Sequence, residues 1–385
     1  MKKLAIIVTH PIQYYAPVFK LLHQRKKVQV EVFYTWGEQS ADKFDPGFGR
    51  KVEWDIPLTE GYPHQWVGNT AIAPGSHHFR GVINPGLIGS VESYAPDAVL
   101  VFGWAYQSHL KLMRYFKGKI PVFFRGDSTL MDETTGIKSL IKYLFLKWVY
   151  SHVDHAFYVG KNNKAYFRKY GLPESALTFA PHAVDNERFA IENHQAVSTL
   201  RNQIGVGDND ILVLFAGKLE EKKHPILLAQ AFIDVNFLAA HLLFVGNGEL
   251  ENQLKTMARG RSNIHFLDFK NQQAMPSVYQ ACDLFCLPSK GPGETWGLSV
   301  NEAMACSKAI LASDKVGCAA DLVQSDVNGA VFKSNEIKSL IAELTRLIRS
   351  KSTLLTFGKN SHKIIQQWNF TEIAKAIENK LNETI

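Results

Sequence analysis

A chain of 385 residues, 46% hydrophobic and 21% charged, is long enough for two compact domains and too apolar to be disordered or fibrous. Lys and Arg exceed Asp and Glu by 43 to 36, a formal charge of +7. So mild an excess suits an anionic small molecule or an acidic membrane surface and argues against nucleic acid, which takes a concentrated basic stripe.

The cysteines Cys282, Cys286, Cys306 and Cys318 all fall in the last third, without a zinc or redox spacing, so buried thiols in a reducing cytoplasm are expected. Lys2-Lys3 before the apolar residues 4–8 imitates a secretory leader, but Thr9-His10-Pro11 ends the run too early. No uninterrupted apolar run approaches the length of about 18 residues that spans a bilayer. The expected location is cytoplasmic, with peripheral contact at the inner face of the plasma membrane.

In chain order, apolar runs at residues 4–8, 28–34, 98–102, 122–124 and 156–159 read as strands, and residues 16–22, 108–116, 137–151 and 161–170 carry helical periods. Residues 37–83 form a loop-rich excursion rich in Gly, Pro and His, of the kind that is often functional, and are assigned to the acceptor side. Residues 181–210 carry no steady period and hold the inter-domain joint. Strands then recur at 211–215, 242–245, 264–267, 284–287 and 309–312, with helices at 225–232, 250–258, 275–281, 298–306 and 337–348. Strands without polar alternation, separated by helices, make parallel sheets with right-handed crossovers. The fold class is therefore α/β with two Rossmann-like domains, residues 1–190 and 205–365, and an amphipathic helix within 368–385 returning to the first.

The segment from Ser289 to Ala305 carries the most chemistry. A buried strand runs into a loop with Gly291, Gly293 and Gly297, and a helix opens at Leu298. Free N–H groups and the positive dipole end at such a start bind phosphate, and glycines let the backbone approach it. Glu294 and Glu302 would stand about 12 Å apart if the span were helical. They cannot share one hydroxyl, but they can hold the two ends of an elongated ligand whose anionic middle rests on the helix. Upstream, Gly217 turns the chain, and Lys218 and Lys223 offer two ammonium groups to a diphosphate. Gly246-Asn247-Gly248 makes a third strand-turn-helix at the same sheet edge.

These segments resemble the retaining glycosyltransferases of the GT-B fold, specifically family 4. Glu294-Thr295-Trp296-Gly297 followed by Glu302-Ala303-Met304-Ala305 matches that family's paired-carboxylate signature. Gly217-Lys218-Leu219 with Lys222-Lys223, Val245-Gly246-Asn247-Gly248, Asn263–Phe269 and Ala281–Ser289 match its other motifs in order, over about 120 residues. The resemblance implies two Rossmann-like domains with parallel sheets facing across a cleft. It implies a nucleotide-diphospho-sugar donor on the second domain, a saccharide or lipid-linked acceptor on the first, and products in surface polysaccharide, lipopolysaccharide or glycolipid synthesis. Glu302 would hold the ribose and Glu294 the donor sugar, with Lys218 and Lys223 on the diphosphate. Gly217, Thr295, Trp296, Gly297, Leu298, Gly246 and Phe269 would complete the donor site. No metal or other cofactor is implied, since the nucleotide-sugar is a substrate.

In the first domain the family's glycine-rich loop is replaced by Thr9-His10-Pro11-Ile12-Gln13, and Pro181-His182-Ala183-Val184-Asp185 stands at its inter-domain motif. His10, Gln13, Arg125 and Asp127 lie in loops after strands and are candidates for the cleft or acceptor, although Arg125 and Asp127 could also pair with each other. His77-His78 has no third ligand at metal spacing. Residues 137–151 place Lys138, Lys142 and Lys147 among aromatic and aliphatic residues. Such a helix suits an anionic bilayer or burial on the first sheet. Two rival functions are a nucleotide-sugar 2-epimerase-like isomerase of related fold and a non-catalytic nucleotide-sugar binder.

Overall fold

The computed structural model describes residues 1–38, 43–45 and 50–384. Most of the inner strands of its sheets are short apolar runs covered on both faces, which is why they read without alternation. The chain forms β1 (Lys3–Val8), α1 (Ala16–Arg25), β2 (Gln29–Tyr34), the paired strands β3 (Lys43–Asp45) and β4 (Arg50–Val52), then β5 (His64–Trp66), α2 (Leu87–Tyr94) and β6 (Ala98–Phe102). It continues through α3 (Gln107–Phe116), β7 (Val122–Arg125), α4 (Ile137–Tyr150), β8 (His155–Tyr158), α5 (Lys161–Lys169) and β9 (Leu177–Phe179). These strands make a parallel sheet in the order β5-β2-β1-β6-β7-β8-β9. Its core joins Val99, Val101 and Phe124 of the sheet to Val91, Met113, Leu146 and Phe167 of α2 to α5.

A second series follows: α6 (Asn186–Ala190), α7 (His194–Gln203), β10 (Ile211–Ala216), α8 (Pro225–Val235), β11 (Ala240–Val245), α9 (Glu251–Met257), β12 (Ile264–Leu267) and α10 (Met275–Ala281). Then come β13 (Leu284–Leu287), α11 (Leu298–Ala305), β14 (Ala309–Ser313), α12 (Ala319–Leu322), β15 (Gly329–Phe332), α13 (Ile337–Leu347), α14 (Lys351–Ile365) and α15 (Phe370–Thr384). Its parallel sheet has the order β12-β11-β10-β13-β14-β15, the doubly wound arrangement.

Two units divide the chain: Met1–Lys43 with Ile56–Pro181 and Phe370–Ile385, and Phe44–Asp55 with His182–Asn369. The division falls at Pro181, earlier than residue 190. The segment after it is ordered rather than aperiodic, because Asp185 and Asn193 cap α6 and α7 through bonds from the Arg188 and Ala196 N–H groups, each 3.0 Å. Asn186 also ties α6 into the second unit, its Nδ2 donating to the carbonyls of Ile365 and Trp368 at 3.1 Å each. Helix α15 packs on α1, where buried Glu378 accepts a bidentate pair from Arg25 at 2.7 and 2.9 Å.

Candidate active site

Strand order in the second sheet reverses between β10 and β13, so their carboxyl ends flank the crevice where such sheets take ligands. Gly217-Lys218 leaves β10 there, and residues 288–297 leave the neighbouring β13 there. The turns after β10, β11 and β12 are laced side by side. Gly217 N–H donates to the Val245 carbonyl, Leu219 N–H to Asn247 and Gly246 N–H to Leu267, each at 3.0 Å. This lacing leaves no room for a side chain at Gly246, whose φ is +129° and whose added Cβ would stand 2.2 Å from the Gly217 carbonyl oxygen. Asn247 carries the lacing outward: its Oδ1 accepts the Phe269 N–H at 2.9 Å, and its Nδ2 donates to Asp268 at 3.2 Å and Glu251 at 3.1 Å. Phe269 is thereby held at the edge, its ring 6.5 Å from that of Trp54.

Lys223 ends a single 3-10 turn just before Pro225 opens α8. Its Nζ donates to Glu294 Oε2 at 2.7 Å, and the Ser289 hydroxyl donates to the same oxygen at 3.1 Å. The Lys290 N–H joins the two loops through the Lys222 carbonyl at 2.9 Å. Glu294 is 9% exposed. Burial pushes its carboxyl upward, but the charge and hydrogen bond of Lys223, the charge of Lys222 and the Ser289 hydroxyl together hold it below its ordinary value. The backbone around it is fixed as well: Gly317 and Cys318 N–H groups donate to the Glu294 and Trp296 carbonyls at 3.1 and 2.8 Å.

Gly297 opens α11 at φ +94°, where an added Cβ would meet Val316 at 2.9 Å and Leu287 at 3.0 Å, and no side chain caps the helix. Its leading N–H groups therefore take no bond from a capping side chain, which leaves the helix start suited to an anion. One turn into α11, buried Glu302 accepts the Tyr279 hydroxyl at 2.7 Å. The structure thus gathers Lys223, Glu294 and Ser289 in direct contact, with Lys218 at the adjoining strand end and Glu302 on the helix that follows. Ser289, Tyr279 and Asn247 lay inside segments singled out from the sequence, but their positioning contacts were not foreseen.

Two of the candidate residues have interior side chains. The Trp296 ring is one of them. It is 4% exposed, its indole N–H donates to Asn301 Oδ1 at 2.9 Å, and its ring packs against His182 and Trp368. It anchors the loop that holds Glu294. Arg125 is likewise interior, 2% exposed, with its Nη1 and Nη2 donating to the Ala180 and Pro181 carbonyls at 2.8 Å each. Arg125→Met, which keeps the volume and leaves two buried carbonyls unpaired, is expected to cost about 2–4 kcal/mol. A chemical denaturation midpoint that does not move would contradict this assignment.

Asp127 and Arg125 lie within electrostatic reach of Tyr15, whose phenol is pushed up by lost hydration and by Asp127 and drawn down by Arg125. His10 follows β1, its Nδ1 2.9 Å from the Thr9 hydroxyl and its ring 5.2 Å from Trp36, edge to face. Gln13 is partly exposed on the same loop.

Two parallel doubly wound sheets, the second dressed at its switch point with lysines, carboxylates and an uncapped helix start, define an α/β protein of the GT-B fold. Residues 197–364 match the family described as glycosyl transferases group 1. A 207-residue stretch is 28% identical to the UDP-Gal:alpha-D-GlcNAc-diphosphoundecaprenol alpha-1,3-galactosyltransferase of Escherichia coli, covering 51% of each chain. Another of 216 residues is 26% identical to the D-inositol 3-phosphate glycosyltransferase of Geodermatophilus obscurus, covering 52% of this chain and 46% of that protein. The chain thus spans about half the length of these curated relatives. The structure of Anabaena HepE in complex with UDP and glucose superposes with a TM-score of 0.72 at 19% identity, covering all of both chains. WaaG, a glycosyltransferase involved in lipopolysaccharide biosynthesis, gives 0.66 at 14% identity over 99% of each. Among the described residues no helix is long and apolar enough to cross a membrane.

Proposed function

We propose that this chain is a retaining, metal-independent glycosyltransferase of family 4 that moves a hexose-type sugar from a nucleotide-diphospho-sugar to a hydroxyl acceptor. The observation that carries this is the pair of partly exposed Lys223 with buried Glu294 beside an uncapped helix start at the switch point. The donor's diphosphate would lie on Lys218, Lys223 and the start of α11, with Glu302 on the ribose and Phe269 toward the base. In the transfer the bond from the anomeric carbon to the phosphate oxygen breaks. The acceptor oxygen bonds to that carbon on the same face, and its proton passes to the departing phosphate. Two ammonium groups and the helix dipole supply the counter-charge for that phosphate, while Glu294 faces the positive charge growing on the sugar ring.

We take the acceptor to be a saccharide or lipid-linked saccharide bound by the first unit, where His10, Gln13 and Asp127 are the candidates, and the product to be a surface polysaccharide, lipopolysaccharide or glycolipid. The E. coli relative's lipid-linked substrate supports this assignment. Four buried free thiols fit a cytoplasmic enzyme. A thermal-shift screen against UDP-, GDP- and ADP-sugars tests the donor site: a ligand at a hundred times its Kd adds about 2.7 kcal/mol of stability, and Lys218→Ala should remove the response. If no nucleotide-sugar stabilises the protein, the donor assignment is wrong. A hit without acceptor-dependent nucleotide release would favour a non-catalytic binder or an isomerase.

A further inference from the structure

Helix α4 is apolar on two opposite faces. Leu146, Val149 and Tyr150 are buried in the first unit's core. On the other side Ile137, Leu140, Ile141, Leu144, Phe145 and Trp148 are all exposed, from 42% to 80%. At about 100° per residue these six fall within an arc of about 140°, opposite the buried one. Lys138 stands on one shoulder of that arc and Lys147 on the other, with Lys142 about 40° further round from Lys138. A helix on a globular domain needs one apolar stripe, so a second, continuous one marks a partner.

The surroundings identify the partner. Arg114 of α3 sets its guanidinium 5.5 Å from the Trp148 ring, and Trp104 meets Phe145 edge to face at 5.6 Å. Beside them a groove of about 460 Å³ is lined by Phe79, Arg80, Gln107, Leu110, Lys111 and Arg114. Neither α3 nor α4 contains an acidic residue. The nearby carboxylate of Glu133 is engaged by Lys169 and Tyr170, with Lys142 at 3.9 Å. A second copy meeting this face about a two-fold axis would set these cations against themselves. An anionic bilayer would complement them.

We propose that α4 lies in the surface of an anionic membrane, its outward apolar arc at the acyl boundary and Lys138, Lys142, Lys147, Lys111, Arg114 and Arg80 on lipid phosphates. The inference stands on the first unit alone. It extends the lipid-linked acceptor of the proposed function, and its test uses neither donor nor acceptor. The full chain is sedimented with vesicles of phosphatidylcholine alone and of phosphatidylcholine with phosphatidylglycerol. Binding is expected on the anionic vesicles only, and it should weaken as salt rises. The triple variant Leu140→Ser, Leu144→Ser, Trp148→Ser should abolish it. Lys138→Gln, Lys142→Gln and Arg114→Gln should each weaken it about fivefold. Because the altered side chains point outward, the variants should keep the wild-type melting temperature and nucleotide-sugar shift. Equal binding to neutral vesicles, no binding to anionic ones, or indifference to the triple variant overturns the proposal. So does light scattering that shows a dimer which the triple variant dissociates, for then a second copy covers the face. Sugar transfer to a soluble acceptor fails or succeeds independently of every one of these outcomes.

Discussion

Glu294→Gln is expected to slow sugar transfer by about 10²–10³-fold while leaving nucleotide-sugar affinity within a few-fold of the wild type. Glutamine keeps the shape and can still accept from Ser289, but it removes the negative charge that sits 2.7 Å from Lys223 in a nearly dry site. That charge is worth most when positive charge grows on the sugar ring, so the loss belongs to kcat rather than to binding. Lys223→Ala should behave differently. It leaves a carboxylate that is 9% exposed without its cation, a change that costs about 3–5 kcal/mol in buried pairs. Combining the two substitutions removes the stranded charge and should restore most of the stability without restoring turnover. Strictly additive losses of stability would show that the pair is not coupled. The acid limb offers a second check. Glu294 is held below its ordinary value of 4.5, so it stabilises the fold fully above that value, and the contribution fades as pH falls through the lower folded-state value. The glutamine variant should lose that part of the pH dependence.

What the sequence discloses depends on whether the cause is local. Residues 98–102 and 284–287 are strands with the expected bounds because a continuous apolar run is a property of four or five neighbouring residues. Strands β5 and β9 are three-residue edges with polar members, His64, Gln65 and Thr178, and so give no run. Helix α14 is interrupted in pattern by Gly358, which is there because an added Cβ would stand 2.0 Å from the Ser307 carbonyl oxygen, a contact visible only in the fold. The same division runs through the site. The glycines and acids of residues 289–305 signal an anion-binding loop, since each element of that signal lies in one stretch. Whether Trp296 faces a ligand or the interior depends on His182 and Trp368, and the fate of Arg125 depends on two carbonyls at the far end of β9. Spacing along the chain carries no record of those partners.

The donor loop's dependence on backbone packing gives the second large effect, at Gly246. Two penalties would fall on Gly246→Ala. Its φ of +129° is a conformation that side chains rarely adopt, and its Cβ would overlap the Gly217 carbonyl oxygen at 2.2 Å, with no flexible atom to yield. Together these should destabilise the second unit by about 3–5 kcal/mol. Gly260→Ala is the matched control, because Gly260 also has positive φ, +78°, but nothing within 4 Å of its added Cβ. Backbone strain alone should cost it about 1–2 kcal/mol. The difference between the two denaturation free energies therefore reports the overlap together with the steeper backbone strain at φ +129°. That overlap must be relieved by pushing apart the turns after β10 and β11, which moves Gly217 and with it Lys218. Gly246→Ala should thus weaken nucleotide-sugar binding even at temperatures where the unit remains folded, whereas Gly260→Ala should not. Equal losses of stability in the two variants would mean that the turns separate freely, and the lacing would then have no part in placing Lys218.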